Sequence, residues 1–199
     1  MTIFLGIISA IIVISYVIDF KNNRMSTKEM VMASLIAAIS FVLSLIQIVR
    51  YPQGGGIALF SMLPVMLFSL LYGKTAGVTA GLVFGLLSLL DGPYVIHPVQ
   101  FLLDYIFPTM ALGLAGTFGS DTKMKRICGP LMAVALNVFS KFLSGVVFFG
   151  AFAPENMGAV LYSLIYNGST AGVEGILCIV ILAILPFDRL KKQDRKSVV

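Results

Sequence analysis

The chain has 199 residues, 58% hydrophobic and 12% charged, with a mean hydropathy of +0.99. Soluble domains carry roughly 25% charged residues, so the composition excludes a soluble globular domain and points to an integral membrane protein. The formal net charge of +5 is no nucleic-acid signal, because the basic residues cluster in alternate connections between apolar runs.

Helix-length apolar runs punctuated by Gly and Pro favour an all-α bundle over a barrel, whose strands would alternate every second residue. Residues 2–19 form a first apolar span. It lacks both a preceding basic residue and a small-residue cleavage pattern, and reads as a retained helix. A linker over 20–28 carries Lys21, Arg24 and Lys28, and Ser26-Thr27-Lys28-Glu29 has the form of a helix start. The second span is expected over 29–49, followed by the glycine-rich loop Pro52-Gln53-Gly54-Gly55-Gly56. Further spans fall near 57–71, 75–90, 98–118, 127–149 and 158–186, the last interrupted by Asn167-Gly168-Ser169-Thr170. Cys128 and Cys178 lie in or beside apolar runs with neither metal spacing nor a pairing pattern, and read as core thiols.

With the N-terminus outside, the inner segments are 20–28, 72–74, 119–126 and the tail from Pro186. They hold Lys21, Arg24, Lys28, Lys74, Lys123, Lys125, Arg126, Arg189, Lys191, Lys192, Arg195 and Lys196. Outside there is only Arg50, with Lys141 inside a span. The positive-inside rule therefore predicts a multi-pass protein of the cell membrane with an outer N-terminus and a cytoplasmic C-terminus.

That orientation sets depth. Asp104 lies roughly 9 Å below the outer end of its helix, Lys141 roughly 12 Å, and Tyr162 and Asn167 roughly 6 and 13 Å. Four polar groups from three helices thus share a level, which points to a small-molecule pocket opening outward. A carboxylate at that depth is a functional-site candidate, although a pairing with Lys141 that merely holds helices together is the plainer reading. Tyr94 and Tyr105 add ring faces suited to a nitrogen heterocycle. His97, ahead of Pro98, is a helix cap about as readily as a ligand contact. Tyr162 could belong to the interfacial aromatic belt. Asn167-Gly168 breaks a membrane helix, and irregular backbone at depth is tolerated only against protein or a cavity. Glu174, roughly 24 Å down, reads as buried against a partner helix rather than as a substrate contact. Ala33-x-x-x-Ala37 offers either a close approach for another helix or ordinary internal packing. Gly73-Lys74-Thr75 resembles the end of a P-loop, but Phe68 stands where the earlier glycine is required. No catalytic or metal-binding constellation appears, so neither an enzyme nor a cofactor is expected.

Five ordered motifs then carry a resemblance. They are Tyr-x-Pro-Gln-Gly-Gly at 51–55, Met62-Leu63-Pro64, Tyr94 through Tyr105, Phe142 through Phe149, and Tyr162-Ser163-Leu164-Ile165-Tyr166-Asn167-Gly168. Together, over about residues 26–185, they resemble the thiamine-specific substrate-binding (S) subunits of energy-coupling factor (ECF) vitamin transporters. The resemblance implies a six-helix S-component bundle over 26–188, preceded by an extra transmembrane helix and linker at 1–25 and followed by a basic tail at 189–199. It implies thiamine bound at the outer end beneath a lid that includes Pro52, Gln53 and Gly54. It also implies transport by toppling in the membrane, driven by a transmembrane coupling subunit and two cytoplasmic ATPases, with Ala33 and Ala37 on the docking surface. The family's acidic pyrimidine-binding residue falls on Asp104, and Tyr94, Tyr105, Tyr162 and Asn167 match pocket positions. Phe149 stands where a tryptophan occurs in the family, and Lys141 where a histidine is common. A related pyrimidine or pyridine vitamin (hydroxymethylpyrimidine, vitamin B6) remains an alternative ligand. A self-sufficient proton-coupled secondary transporter remains an alternative class.

Overall fold

The structure, a computed structural model, describes residues 2–51, 55–187 and 189–191. The chain forms an all-helical membrane bundle capped at one end by a β-hairpin. Six helices are long and apolar enough to span a bilayer, with one shorter apolar helix among them in the described residues. In chain order the elements are α1 (Thr2–Asn22), α2 (Thr27–Leu45), β1 (Gln47–Arg50), β2 (Gly56–Ala58), α3 (Leu63–Tyr72) and α4 (Lys74–Leu87). Three more helices complete the bundle: α5 (Pro98–Gly116), α6 (Lys123–Phe148) and α7 (Ala159–Ile184).

The start of α2 is the capping box expected from its sequence. The Ser26 N–H donates to Glu29 Oε2 at 2.7 Å, and the Glu29 N–H donates to Ser26 Oγ at 3.3 Å. Two expected spans differ. The second stops at Leu45, because Gln47–Arg50 pairs antiparallel with Gly56–Ala58, in the register Gln47↔Ala58, Val49↔Ile57 and Arg50↔Gly56. The third begins only at Leu63, so α3 has 10 residues and cannot cross a bilayer alone. The β-branched run Ile46–Val49, followed by consecutive glycines, favours the hairpin over more helix.

Glycine decides how closely the helices approach. Gly77, Gly81 and Gly85 recur every fourth residue along α4 and face α5. A Cβ on Gly81 would lie 2.2 Å from the Thr109 carbonyl oxygen, and one on Gly77 2.7 Å from that of Gly113. Lipid is as apolar as a leucine side chain, so such backbone contact rather than hydrophobic burial brings membrane helices together. The main core lies below the hairpin, where Met62, Val65 and Met66 meet Leu112, Val134, Ala171, Cys178 and Leu182. Cys178 is buried there, whereas Cys128 is exposed on α6, contrary to its expected core position.

Ala33 and Ala37, expected to meet a partner, are instead 1% and 0% exposed within the chain. Ala33 clusters with Phe68 of α3 and with Ala76 and Ala80 of α4. The small side chains serve the internal approach of α2 to its neighbours, and the expectation of an accessible pair is corrected. Ser34 and Ala38, one position on in each case, are exposed. The basic connections gather at one end of the bundle. Lys74 pairs with Asp19 at 3.0 Å, Lys125 with Asp121 at 2.8 Å, and Lys191 Nζ reaches Ser120 Oγ at 3.4 Å.

Candidate functional site

At the opposite end, under the hairpin, lies a cavity of about 670 Å³, within the usual range of small-molecule sites, roughly 300–1,000 Å³. Its wall residues come from the hairpin, the turn before α3, the α4–α5 connection and helices α2, α4, α5, α6 and α7. Of the eight substrate-binding candidates, Asp104, Tyr162, Asn167, Tyr94, Tyr105, Lys141 and Phe149 all line it. His97 does not, and that expectation is corrected. Its Nδ1 accepts from the Val99 N–H at 3.1 Å as the cap of α5, and its ring stacks on Phe148 with centroids 5.2 Å apart. An extended residue ahead of Pro98 is placed to cap the helix, and the imidazole is used there.

Asp104 and Asn167 owe their placement to the same local device. Leu102–Ile106 in α5 and Gly168–Gly172 in α7 are π-helical turns. Each widens its helix where a cavity-facing residue sits. Pro108 and the four-residue run Gly168-Ser169-Thr170-Ala171 weaken the regular α-helical ladder at these places.

Asp104 Oδ2 accepts from Gln100 Nε2, one helical turn earlier. Gln100 is 1% exposed, and it also donates to the Tyr94 carbonyl at 3.1 Å and accepts from the Ile96 N–H at 3.2 Å. The Tyr94 N–H donates to the Tyr105 hydroxyl oxygen at 3.1 Å. Gln100 therefore ties the irregular 92–97 connection to the carboxylate. Asn167 Nδ2 donates to the Ser163 carbonyl at 3.0 Å, to Ser163 Oγ at 3.2 Å and to the Lys141 carbonyl at 3.4 Å. The last of these bonds joins α7 to α6, as does the bond from the Ser163 hydroxyl to the Phe142 carbonyl at 2.8 Å.

The Lys141 ammonium forms neither a hydrogen bond nor an ion pair among the described residues. An Asp104–Lys141 bridge is thus not formed, although both groups face one cavity. The Tyr162 hydroxyl is similarly without a hydrogen-bond partner among the described residues. Two aromatic chains flank these polar groups. Tyr94, Phe149 and Phe152 follow one another at centroid distances of 6.2 and 6.0 Å, and Tyr51, Tyr166 and Tyr162 at 5.6 and 5.8 Å.

Sequence reasoning missed two anchors. Glu174, 4% exposed, lines the cavity, and its carboxylate faces the turn before α3 rather than another helix. Oε1 accepts from Ser61 Oγ at 2.7 Å and the Met62 N–H at 3.3 Å, and Oε2 accepts from the Ala58 N–H at 3.3 Å. These bonds hold a turn in which Phe60 has φ +56°, a left-handed conformation that bulky residues seldom adopt. The rule that singled out Asp104, a carboxylate within a membrane helix, applies equally to Glu174. The other anchor is Tyr166, whose hydroxyl accepts from the Gly55 N–H at 2.7 Å. A Cβ on Gly55 would sit 2.2 Å from that oxygen, so this contact requires glycine. Pro52, Gln53 and Gly54, expected in the lid, lie outside the described residues.

The profile of the thiamine transporter protein family (Thia_YuaJ) matches residues 30–194. Among curated relatives, the thiamine transporter ThiT of Bacillus subtilis is 32% identical over 191 residues, covering 87% of this chain and 99% of that protein. The thiamine transporter ThiT of Lacticaseibacillus paracasei is 30% identical over 172 residues, covering 76% of this chain and 83% of the relative. Among solved structures, ThiT from Listeria monocytogenes superposes with a TM-score of 0.66 at 27% identity, covering 79% of this chain and 94% of that one.

Proposed function

The chain belongs to the thiamine transporter protein family, and on that premise we propose that it is the substrate-capture subunit of an ECF-type vitamin transporter. It takes thiamine from outside into the cavity beneath the hairpin. The observation that carries this reading is the meeting of Asp104, Lys141, Tyr162 and Asn167, from three helices, in one cavity roofed by the hairpin. Asp104, held by Gln100, accepts hydrogen bonds from the aminopyrimidine, while Tyr162 and Asn167 fix the edge of the same ring. Tyr94, Tyr105 and Phe149 supply ring faces, and a thiazolium cation is favoured against such faces. The hairpin, with Pro52, Gln53 and Gly54 in the sequence between its strands, acts as the lid.

Delivery across the membrane requires energy, for which the chain has no P-loop. A transmembrane coupling subunit with two cytoplasmic ATPases supplies it, and the capture subunit topples to release the vitamin inside. The coupling helix approaches α2 on its outward side, where exposed Ser34 and Ala38 repeat the small-x-x-x-small spacing that the buried pair offers inward. The basic end of the bundle faces the cytoplasm.

Titration of purified protein with thiamine tests the assignment. Asp104→Ala removes at least one charge-assisted hydrogen bond of about 1.5–3 kcal/mol and should weaken binding by at least about 10- to 150-fold. Unchanged affinity in that variant would refute the role given to Asp104. Mass spectrometry of the small molecule that co-purifies identifies the vitamin, with hydroxymethylpyrimidine and vitamin B6 as the competing results.

A further inference from the structure

Helix α1 lies outside the family match, which begins at residue 30. Most of its surface is exposed and apolar, including Ile3, Phe4, Ile7, Ile11, Ile14 and Ile18. One seam is different. Leu5, Ser9, Tyr16 and Asp19, at spacings of four, seven and three, share a face, and Leu5 and Ser9 are 6% and 3% exposed. Near the inner end, Asp19 accepts from the Thr75 hydroxyl at 2.7 Å and pairs with Lys74 at 3.0 Å. Thr79 gives its own proton to the Thr75 carbonyl at 2.8 Å, so Tyr16 donates its hydroxyl proton to Thr79 Oγ1 at 3.0 Å. Near the outer end, Leu5 joins a cluster with Val78 of α4 and with Leu103, Ile106 and Phe107 of α5.

Burial of Leu5 and its neighbours is not a sufficient reason for this docking, because lipid chains would cover the same surface equally well. Polar contacts within a membrane instead specify register and rotation. The face of α1 that they orient meets the start of α5, where Val99 lies 3.9 Å from where a Cβ on Gly6 would stand and Leu103 shares the Leu5 cluster. Leu103 of the π-helical turn 102–106 belongs to the buried cluster that Leu5 joins, and its neighbour Asp104 faces the cavity. A π-turn lacks the regular α-helical ladder, so what packs behind it decides where its side chains stand.

We propose that α1 is a positioning element of the binding site. Docked through Tyr16 and Asp19, it backs the π-turn through Leu5 and sets where the Asp104 carboxylate meets the ligand. The proposal rests on the reading of Asp104 as a thiamine contact.

The test is a binding cycle on the full chain, with thiamine as the probe. It compares the native chain, Tyr16→Phe/Asp19→Asn, Asp104→Asn and the combination. Undocking α1 should raise the thiamine Kd about tenfold in the native background and by less than about twofold when Asp104 is already asparagine, the signature of coupled positions. A second measurement needs no vitamin. In a chain with Cys128→Ser and Cys178→Ser, the maleimide reaction rate of Asp104→Cys should change at least about threefold when Tyr16→Phe/Asp19→Asn is added. Equal fold-changes in both backgrounds overturn the proposal, as does an unchanged Kd together with an unchanged labelling rate. If the native chain does not bind thiamine, the substrate reading fails, and the labelling rate alone decides whether α1 positions Asp104.

Discussion

Glu174 offers the sharpest energetic test, because its two oxygens have different partners. Oε1 holds Ser61 Oγ and the Met62 N–H, and Oε2 holds only the Ala58 N–H. Glu174→Ala leaves all three donors without their acceptor in a buried setting. A hydrogen bond to a charged group contributes about 1.5–3 kcal/mol. With two of the three at 3.3 Å, the lower end applies to those, and with the 2.7 Å bond to Ser61 the sum is about 4.5–6 kcal/mol. Glu174→Gln can keep an oxygen toward Ser61 and Met62 while turning its amide group toward Ala58, which removes one bond and costs about 1–2 kcal/mol. At about 2–4 °C per kcal/mol for a chain of this size, the alanine variant should melt about 9–24 °C below the native protein and the glutamine variant about 2–8 °C below. Melting in one detergent at one scan rate makes the comparison fair, since membrane-protein unfolding is commonly irreversible. Hydrogen exchange at the Ala58 and Met62 amides should accelerate at both in the alanine variant, but mainly at Ala58 in the glutamine variant. Equal melting of the two variants, or exchange unchanged at both amides, would refute the anchoring role.

Gly81→Ala should destabilise by about 2–3 kcal/mol or more, because the new methyl meets the Thr109 backbone at 2.2 Å and backbone cannot yield locally. Gly168→Ala, with nothing within 4 Å of its added Cβ, should be neutral or slightly stabilising in the same melts and serves as the control. Lys141→Met should tighten thiamine binding by about 30-fold, since two like charges about 8 Å apart at an effective dielectric near 20 repel by about 2 kcal/mol. Neutral hydroxymethylpyrimidine should change by less than about threefold, and equal weakening of both ligands would instead make Lys141 a donor to the pyrimidine. Orientation is checked at Cys128, exposed in the second turn of α6 near its basic start. A membrane-impermeant maleimide should label it in inverted vesicles and not in intact cells.

The polar residues that the depth argument brought to one level, Asp104, Lys141, Tyr162 and Asn167, do line one cavity. That was readable because helix rise is constant, so position along the chain converts directly to height in the membrane. Azimuth was less secure, since a π-turn adds a residue and rotates everything beyond it. Ala33 and Ala37, on the regular helix α2, show that azimuth is hidden even without a π-turn: the spacing is visible in the sequence, but whether it faces inward or outward is not. His97 shows a different limit, because an imidazole ahead of a proline suits a cap and a ligand equally well until the helix start is seen. The anchoring roles of Gln100, Glu174 and Tyr166 escaped notice because they depend largely on backbone groups 4, 112–116 and 111 positions away. Backbone donors leave no mark on composition.

Membrane residence, the distribution of basic connections and the level of the polar side chains were determined by the sequence alone. Each depends only on residue type and on distance along the chain, which the bilayer turns into depth. The tertiary structure decided that Glu174 and Tyr166 anchor the hairpin, that α4 and α5 meet backbone to backbone, and that α1 is tied to α4 through Tyr16 and Asp19. Those are contacts between segments far apart in the chain, and their free energy arises only once the intervening helices have packed.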